Sequence, residues 1–160
     1  MAPVKGPRRL RVLVVDDDAR VRSALRHLLD DVGELRCLAV DTGQAVRLLT
    51  WGSNVSDVAV VDLPSGSPAG CALVERLAGL VPVVVVSMSG SRRSDALAAG
   101  AHSFVEKDGD GGALLAAIRS AVDAGRRPLA GEDGTRQNAA VDDQHAAPPA
   151  TTPPPVRGDR

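Results

Sequence analysis

Apolar β-branched runs alternate along the chain with stretches whose apolar residues recur every three or four positions. Leu10 to Val15 is a short apolar run ending in acids. Val21, Leu25, Leu28, Leu29 and Val32 then mark one face of an amphipathic helix, which Gly33 closes. Leu35 to Val40 predicts a second strand, and Ala45, Leu48 and Leu49 the buried face of a second helix, with Trp51 at its surface end. Asp57 to Val61 predicts a third strand, followed by a polar Gly/Pro loop. Leu73, Leu77 and Leu80 mark a third helix. Pro82 opens the strongest strand signal, four consecutive valines from Val83 to Val86, whose unbroken apolar character suits burial on both faces. A short helix over 92–99, a fifth strand from His102 to Val105, and a last helix carried by Leu114, Leu115, Ile118 and Val122 complete the pattern, with Asp110 as its N-cap. Five strand–helix units predict an α/β fold, a doubly wound parallel sheet covered on both faces and joined by right-handed crossovers.

Composition changes the picture mainly at the ends. Six of the eleven prolines fall within 126–160, a segment without aromatic residues or Ile. Such a stretch buries too little apolar area to offset the entropy of ordering it. The expected organisation is an N-terminal extension over 1–9, one domain over 10–125, and a disordered Pro/Ala-rich tail over 126–160. The formal net charge of −1 argues against a dedicated nucleic-acid binder. Cys37 and Cys71 form no C-x-x-C, which points to reduced thiols in the cytoplasm. The longest apolar run, Leu80 to Val86, is far short of the roughly 20 residues needed to span a bilayer. Three aspartates interrupt the apolar stretch after the basic start, so an export signal is not expected.

In an open parallel sheet, function gathers at the carboxyl ends of the strands. There the first strand is followed by Asp16, Asp17 and Asp18, the third by Asp62, the fourth by Ser87, and the fifth by Glu106 and Lys107. Asp41 and Thr42 follow the second strand and are set aside, because an outer strand would carry them away from the centre. Carboxylates gathered at one edge repel and raise each other's pKa unless a cation intervenes. Mg²⁺ suits a small oxygen-donor set that leaves room for water and a phosphoryl group. With the ion in place, Asp62 can stay ionised and attack phosphorus, forming an aspartyl-phosphate. Lys107 would add a second positive charge and Ser87 a hydroxyl donor to a phosphoryl oxygen. His27 and His102 have no companion at metal-ligand spacing.

Val14-Val15-Asp16-Asp17, Val60-Val61-Asp62 with Gly70 eight residues on, Val86-Ser87, and the stretch from Ala99 to Lys107 together resemble the receiver domain of two-component response regulators. The resemblance covers Arg11 to Ala124 and implies a five-stranded flavodoxin-like sheet of order 2-1-3-4-5. It implies that Asp62 is the phosphoacceptor and that Asp16 and Asp17 hold Mg²⁺, Asp17 directly and Asp16 through water. By the same resemblance the backbone carbonyl of Pro64 completes the metal shell. Ser87 is the switch hydroxyl, Phe104 the aromatic that turns inward when that hydroxyl engages phosphate, and Lys107 the matching lysine. A sensor histidine kinase is the implied donor. The implied output is binding of a downstream protein through the fourth helix, fifth strand and fifth helix, with no enzymatic turnover beyond self-directed phosphotransfer. Lys107-Asp108 is similar to receivers that precede a DNA-binding domain, but the proline tail offers no helix-turn-helix, so direct DNA binding is not expected.

Two other readings use the same residues. The 64–69 loop lacks the family's Met-Pro and acidic residue, and Pro64 has a fixed φ. Both favour a degenerate receiver, an interaction module indifferent to phosphorylation. Asp16-x-Asp18 is also similar to the nucleophile motif of haloacid-dehalogenase phosphatases, but Arg20 stands where those enzymes carry Thr or Val.

Overall fold

The computed structural model describes residues 8–52, 56–63 and 68–126. The chain divides into two units, Met1–Pro128 and Leu129–Arg160, and the second lies outside the described residues, as does nearly all of the expected disordered tail. In the first unit β1 (Leu10–Val15), α1 (Ala19–Asp30), β2 (Leu35–Val40), α2 (Thr42–Thr50), β3 (Val58–Asp62) and α3 (Pro68–Ala78) follow one another. After them come β4 (Val83–Ser87), α4 (Arg93–Ala98), β5 (Ser103–Glu106) and α5 (Gly111–Arg126). The strands form one parallel sheet in the order β2-β1-β3-β4-β5, as expected.

The sheet separates two apolar layers. On one face Leu13, Val15, Val61 and Val85 pack with Ala45 of α2, Leu73 and Leu77 of α3, and Ala96 of α4. On the other, Val12, Val14, Val60 and Val84 pack with Leu29 of α1 and with Leu114, Ile118 and Val122 of α5. Every residue of β4 is buried, which is why it reads as an unbroken run of valine. Strand β2 lies at an edge and alternates, leaving Leu38 exposed.

Helix starts follow the capping chemistry of the sequence. Asp18 accepts from the N–H groups of Arg20 and Val21, and Asp41 forms a capping box with Gln44. Asp110 Oδ1 accepts from Gly112 N–H at 2.9 Å, as expected of its cap position. Gly100 follows the end of α4 with φ of +92°, a left-handed conformation that favours glycine.

Some expectations need correction. Leu80 is not on the buried face of the third helix. That helix ends at Ala78, and Leu80 sits in the following turn, its N–H bonded to the Leu77 carbonyl and its side chain 66% exposed. Strand β3 starts at Val58 rather than Asp57, because the Asp57 carboxylate turns back to the Arg11 N–H at 2.8 Å. The helix expected over 92–99 is a 3-10 turn (Gly90–Arg92) followed by α4.

Candidate functional site

Register sets which side chains meet. Val15 pairs with Val61, Asp62 with Val86 and Ser87 with Glu106, so the first polar residues after β1, β3, β4 and β5 emerge along one edge. At that edge Lys107 Nζ lies 2.8 Å from Asp62 Oδ1 and 3.0 Å from Asp16 Oδ2. The Lys107 backbone is fixed by its N–H bond to the Ser87 carbonyl at 2.8 Å. Asp16 is buried, and its Oδ1 accepts from Asp18 N–H at 2.8 Å. Arg22 Nη1 donates to the Asp16 carbonyl at 2.7 Å and pins the β1–α1 turn from outside.

Electrostatics at this edge do not cancel. Burial, the largest influence on Asp62, pushes its carboxyl above the ordinary range; Lys107 pulls it down, Asp16 and Asp17 push it up again, and the net direction is upward. Burial opposes charge on Lys107 too, but its bonds to Asp62 and Asp16 carry it above its ordinary value. Lys107 is thus firmly cationic, and the rise at Asp62 comes chiefly from burial.

Ser87 adjoins this group. Its buried hydroxyl donates to the carbonyl of Leu63, the residue after Asp62, at 3.0 Å, and accepts from Ser89 N–H at 3.4 Å. Phe104 lies elsewhere, buried on β5 among the side chains under α4, with the Arg93 guanidinium 6.0 Å from its ring centroid. Its ring already points inward while the Ser87 hydroxyl holds a backbone carbonyl.

Asp17 is exposed at the rim, and its Oδ1 accepts from Thr42 N–H, the first residue of α2, at 2.9 Å. Among the described residues no group of three or more His, Cys, Asp or Glu is set to hold a metal ion. The structure thus joins Asp16, Asp62 and Lys107, places Ser87 beside them, and turns Asp17 toward α2. Pro64 lies outside the described residues. The donor chemistry nonetheless fits a hard divalent cation: the side chains are oxygen donors, and such an ion would favour the charged form of Asp62 against the burial and the neighbouring aspartates that oppose it. The Thr42 bond engages only Oδ1 of Asp17, so its Oδ2 is the oxygen that could join Asp16 and Asp62 around such an ion.

Three contributors were not anticipated. Thr42, set aside with Asp41, reaches the site through its N–H, and Leu63 through its carbonyl; backbone groups carry no side-chain signature in a sequence. Arg22 is signalled only by lying four residues past the Asp18 cap, on the first turn of α1.

The chain matches the family model of the response regulator receiver domain over residues 12–119. The regulatory protein VirG of Rhizobium rhizogenes is 36% identical over 69% of this chain and 47% of its own length. The protein-glutamate methylesterase/protein-glutamine glutaminase of group 3 operon of Rhodopseudomonas palustris is 29% identical over 94% of this chain and 44% of its own. The chain therefore spans less than half the length of these curated relatives. Among solved structures, a response regulator receiver protein from Pseudomonas putida superposes with a TM-score of 0.58 at 28% identity, covering 70% of this chain and 97% of that one. The response regulator domain of Thermotoga maritima CheB gives 0.61 at 24% identity, covering 72% and 98%, a likeness of fold.

Proposed function

Since the chain belongs to the response regulator receiver family, we propose that it is a phosphorylation-controlled switch in which Asp62 accepts a phosphoryl group from a sensor histidine kinase in the cytoplasm. The observation that carries this reading is the convergence of Asp62, Asp16 and Lys107 at one edge, with Lys107 Nζ 2.8 Å from Asp62 Oδ1 and 3.0 Å from Asp16 Oδ2. Oδ2 attacks phosphorus, an O–P bond forms, the P–N bond of the phosphohistidine breaks, and its electron pair returns to the imidazole. Lys107 meets the developing negative charge on the phosphoryl oxygens. When bound, Mg²⁺ held by Asp16, Asp17 and Asp62, with the Pro64 carbonyl, would supply further charge neutralisation.

The hydroxyl of Ser87 gives the response. A phosphoryl oxygen on Asp62 competes with the Leu63 carbonyl for its proton, and the Ser89 N–H bonded to Ser87 Oγ draws the β4–α4 segment along. Arg93 of α4 is exposed and covers the buried Phe104 of β5, so that segment biases the α4–β5–α5 face on which a downstream protein would dock. Phosphorylation shifts the population between two arrangements of that face. The chain acts on itself in this reading; it is assigned no separate substrate and no direct contact with DNA. Among the described residues no helix is long and apolar enough to cross a membrane.

The bond from Thr42 to Asp17 is the feature that favours the second reading, a module whose partner binding ignores phosphorylation. Incubation with acetyl phosphate and Mg²⁺ separates the two. The switch gains the mass of one phosphoryl group, and Asp62→Asn gains none. An unchanged mass in the wild-type chain removes the switch and leaves the module.

A further inference from the structure

A second surface lies at the β2 edge of the sheet, away from the carboxyl-end cluster. Arg8 and Arg9 ahead of β1, Arg26 on α1 and Arg36 on β2 rim a groove of about 1290 Å³ whose floor includes Leu38 and Ala39. Arg11 also faces it but is bound to Asp57, which Arg8 shares at 3.4 Å. Arg26 pairs with Asp30 at 3.4 Å, and that carboxylate also accepts from Cys37 N–H at 2.9 Å. Five guanidiniums (Arg8, Arg9, Arg11, Arg26 and Arg36) thus face two carboxylates (Asp30 and Asp57). Among the described residues neither Arg9 nor Arg36 has a carboxylate partner. In a chain of net charge −1, this is a local concentration of positive charge.

The floor narrows the choice of occupant. Leu38, which lines the groove, is 43% exposed, and burial pushes the Cys37 thiol up to about 11, so that side chain is an uncharged lining group. Strand addition to β2 is blunted, because Asp30 already takes the Cys37 N–H and Arg36 projects from the edge. The groove therefore binds side chains rather than extending the sheet. The only Trp is at the end of α2 and the only Phe is under α4, so nucleic-acid bases would find no stacking surface here. The volume exceeds that of an ordinary small-molecule pocket and suits several residues of a polypeptide.

We propose that this groove docks an acidic, leucine-bearing segment of a partner protein, its carboxylates on the unpaired arginines and its apolar side chains on Leu38. Because β2 and β5 are opposite edges of the sheet, docking here is independent of the phosphorylation state of Asp62. It fixes where the switch sits rather than what it signals.

The probe is a fluorescein-labelled peptide of repeated Leu-Glu-Glu-Leu, titrated with the full chain and followed by fluorescence anisotropy. Saturable binding is expected, weakened about tenfold by Arg9→Glu or Arg36→Glu. Leu38→Ser also weakens it, and Asp62→Asn leaves it unchanged. All these side chains except Asp62 are exposed, and unaltered melting of each variant shows that the loss is one of docking. Absence of binding overturns the proposal, as does binding indifferent to Arg36→Glu and Leu38→Ser. Equal or tighter binding of polyglutamate, a single-stranded oligonucleotide or phosphatidylserine vesicles overturns it too, by showing that charge alone is read. Because Asp62→Asn retains docking, failure here and failure of phosphoryl transfer are separate results.

Discussion

At Asp62 and Lys107 the same short contacts serve two ends that conflict. Lys107 holds Asp16 and Asp62 together at 3.0 and 2.8 Å, which eases the repulsion between two neighbouring carboxylates. The arrangement is still unfavourable for the charge on Asp62, whose carboxyl is held above its ordinary range. A group with a raised folded pKa stabilises the fold when protonated and loses that contribution as pH rises through its folded value. At neutral pH, in metal-free buffer, Asp62→Asn is therefore expected to melt higher than wild type. A gain of about 0.5 kcal/mol would move the midpoint by about 2 °C in a domain of this size. Lys107→Ala acts in the opposite sense, leaving two carboxylates without their shared cation, at a loss of roughly 1–3 kcal/mol in urea unfolding. A Lys107→Ala protein as stable as wild type would mean that the ammonium does not bind the strand ends together.

Between elements, stability rests on contacts that a sequence pattern shows only in part. Asp57 joins the starts of β1 and β3, taking the Arg11 N–H at 2.8 Å and Arg11 Nη2 at 3.0 Å. Burial pushes the Asp57 carboxyl up, but the Arg11 side chain and N–H, with the Arg11 and Arg8 charges, hold it below its ordinary range. A lowered folded pKa gives stabilisation that is present above the unfolded value and lost as pH falls through the folded one. Asp57→Ala is expected to cost about 1–2 kcal/mol at neutral pH, and the two proteins should converge only below about pH 4. Gly70 is a packing requirement: a Cβ there would come within 2.7 Å of Leu63 Cδ1, and Leu63 is fully buried. Gly70→Val is expected to lose roughly 1–3 kcal/mol and to disturb the Leu63 carbonyl that Ser87 holds; calorimetry reads the first effect. The motif spacing from Asp62 to Gly70 was visible in the sequence, and the touching Leu63 side chain was not. β1 and β2 were legible to the residue because apolar runs end there in charged residues. Leu80 misled because its spacing continues a helix that the chain leaves at Gly79.

Across the whole molecule, parallel order and register turn four separated sequence positions into one site. Asp16, Asp62, Ser87 and Lys107 were legible because each follows an apolar strand, and a parallel sheet brings those ends together. The partners that restrain them, Thr42 N–H and the Leu63 carbonyl, were not, since any residue type supplies a backbone group. Those restraints set the observed arrangement: Asp17 bonded to α2, Ser87 to the chain after Asp62, and Lys107 between two carboxylates. In the proposed switch Asp62, and neither Asp16 nor Asp17, forms the bond to phosphorus. Reduction of the acyl phosphate with borohydride after treatment with acetyl phosphate and Mg²⁺ marks the acceptor as homoserine, which peptide mass mapping locates. Homoserine is expected at position 62 alone; homoserine at position 16 or 17, or at none of the three, would mean that Asp62 is not the acceptor.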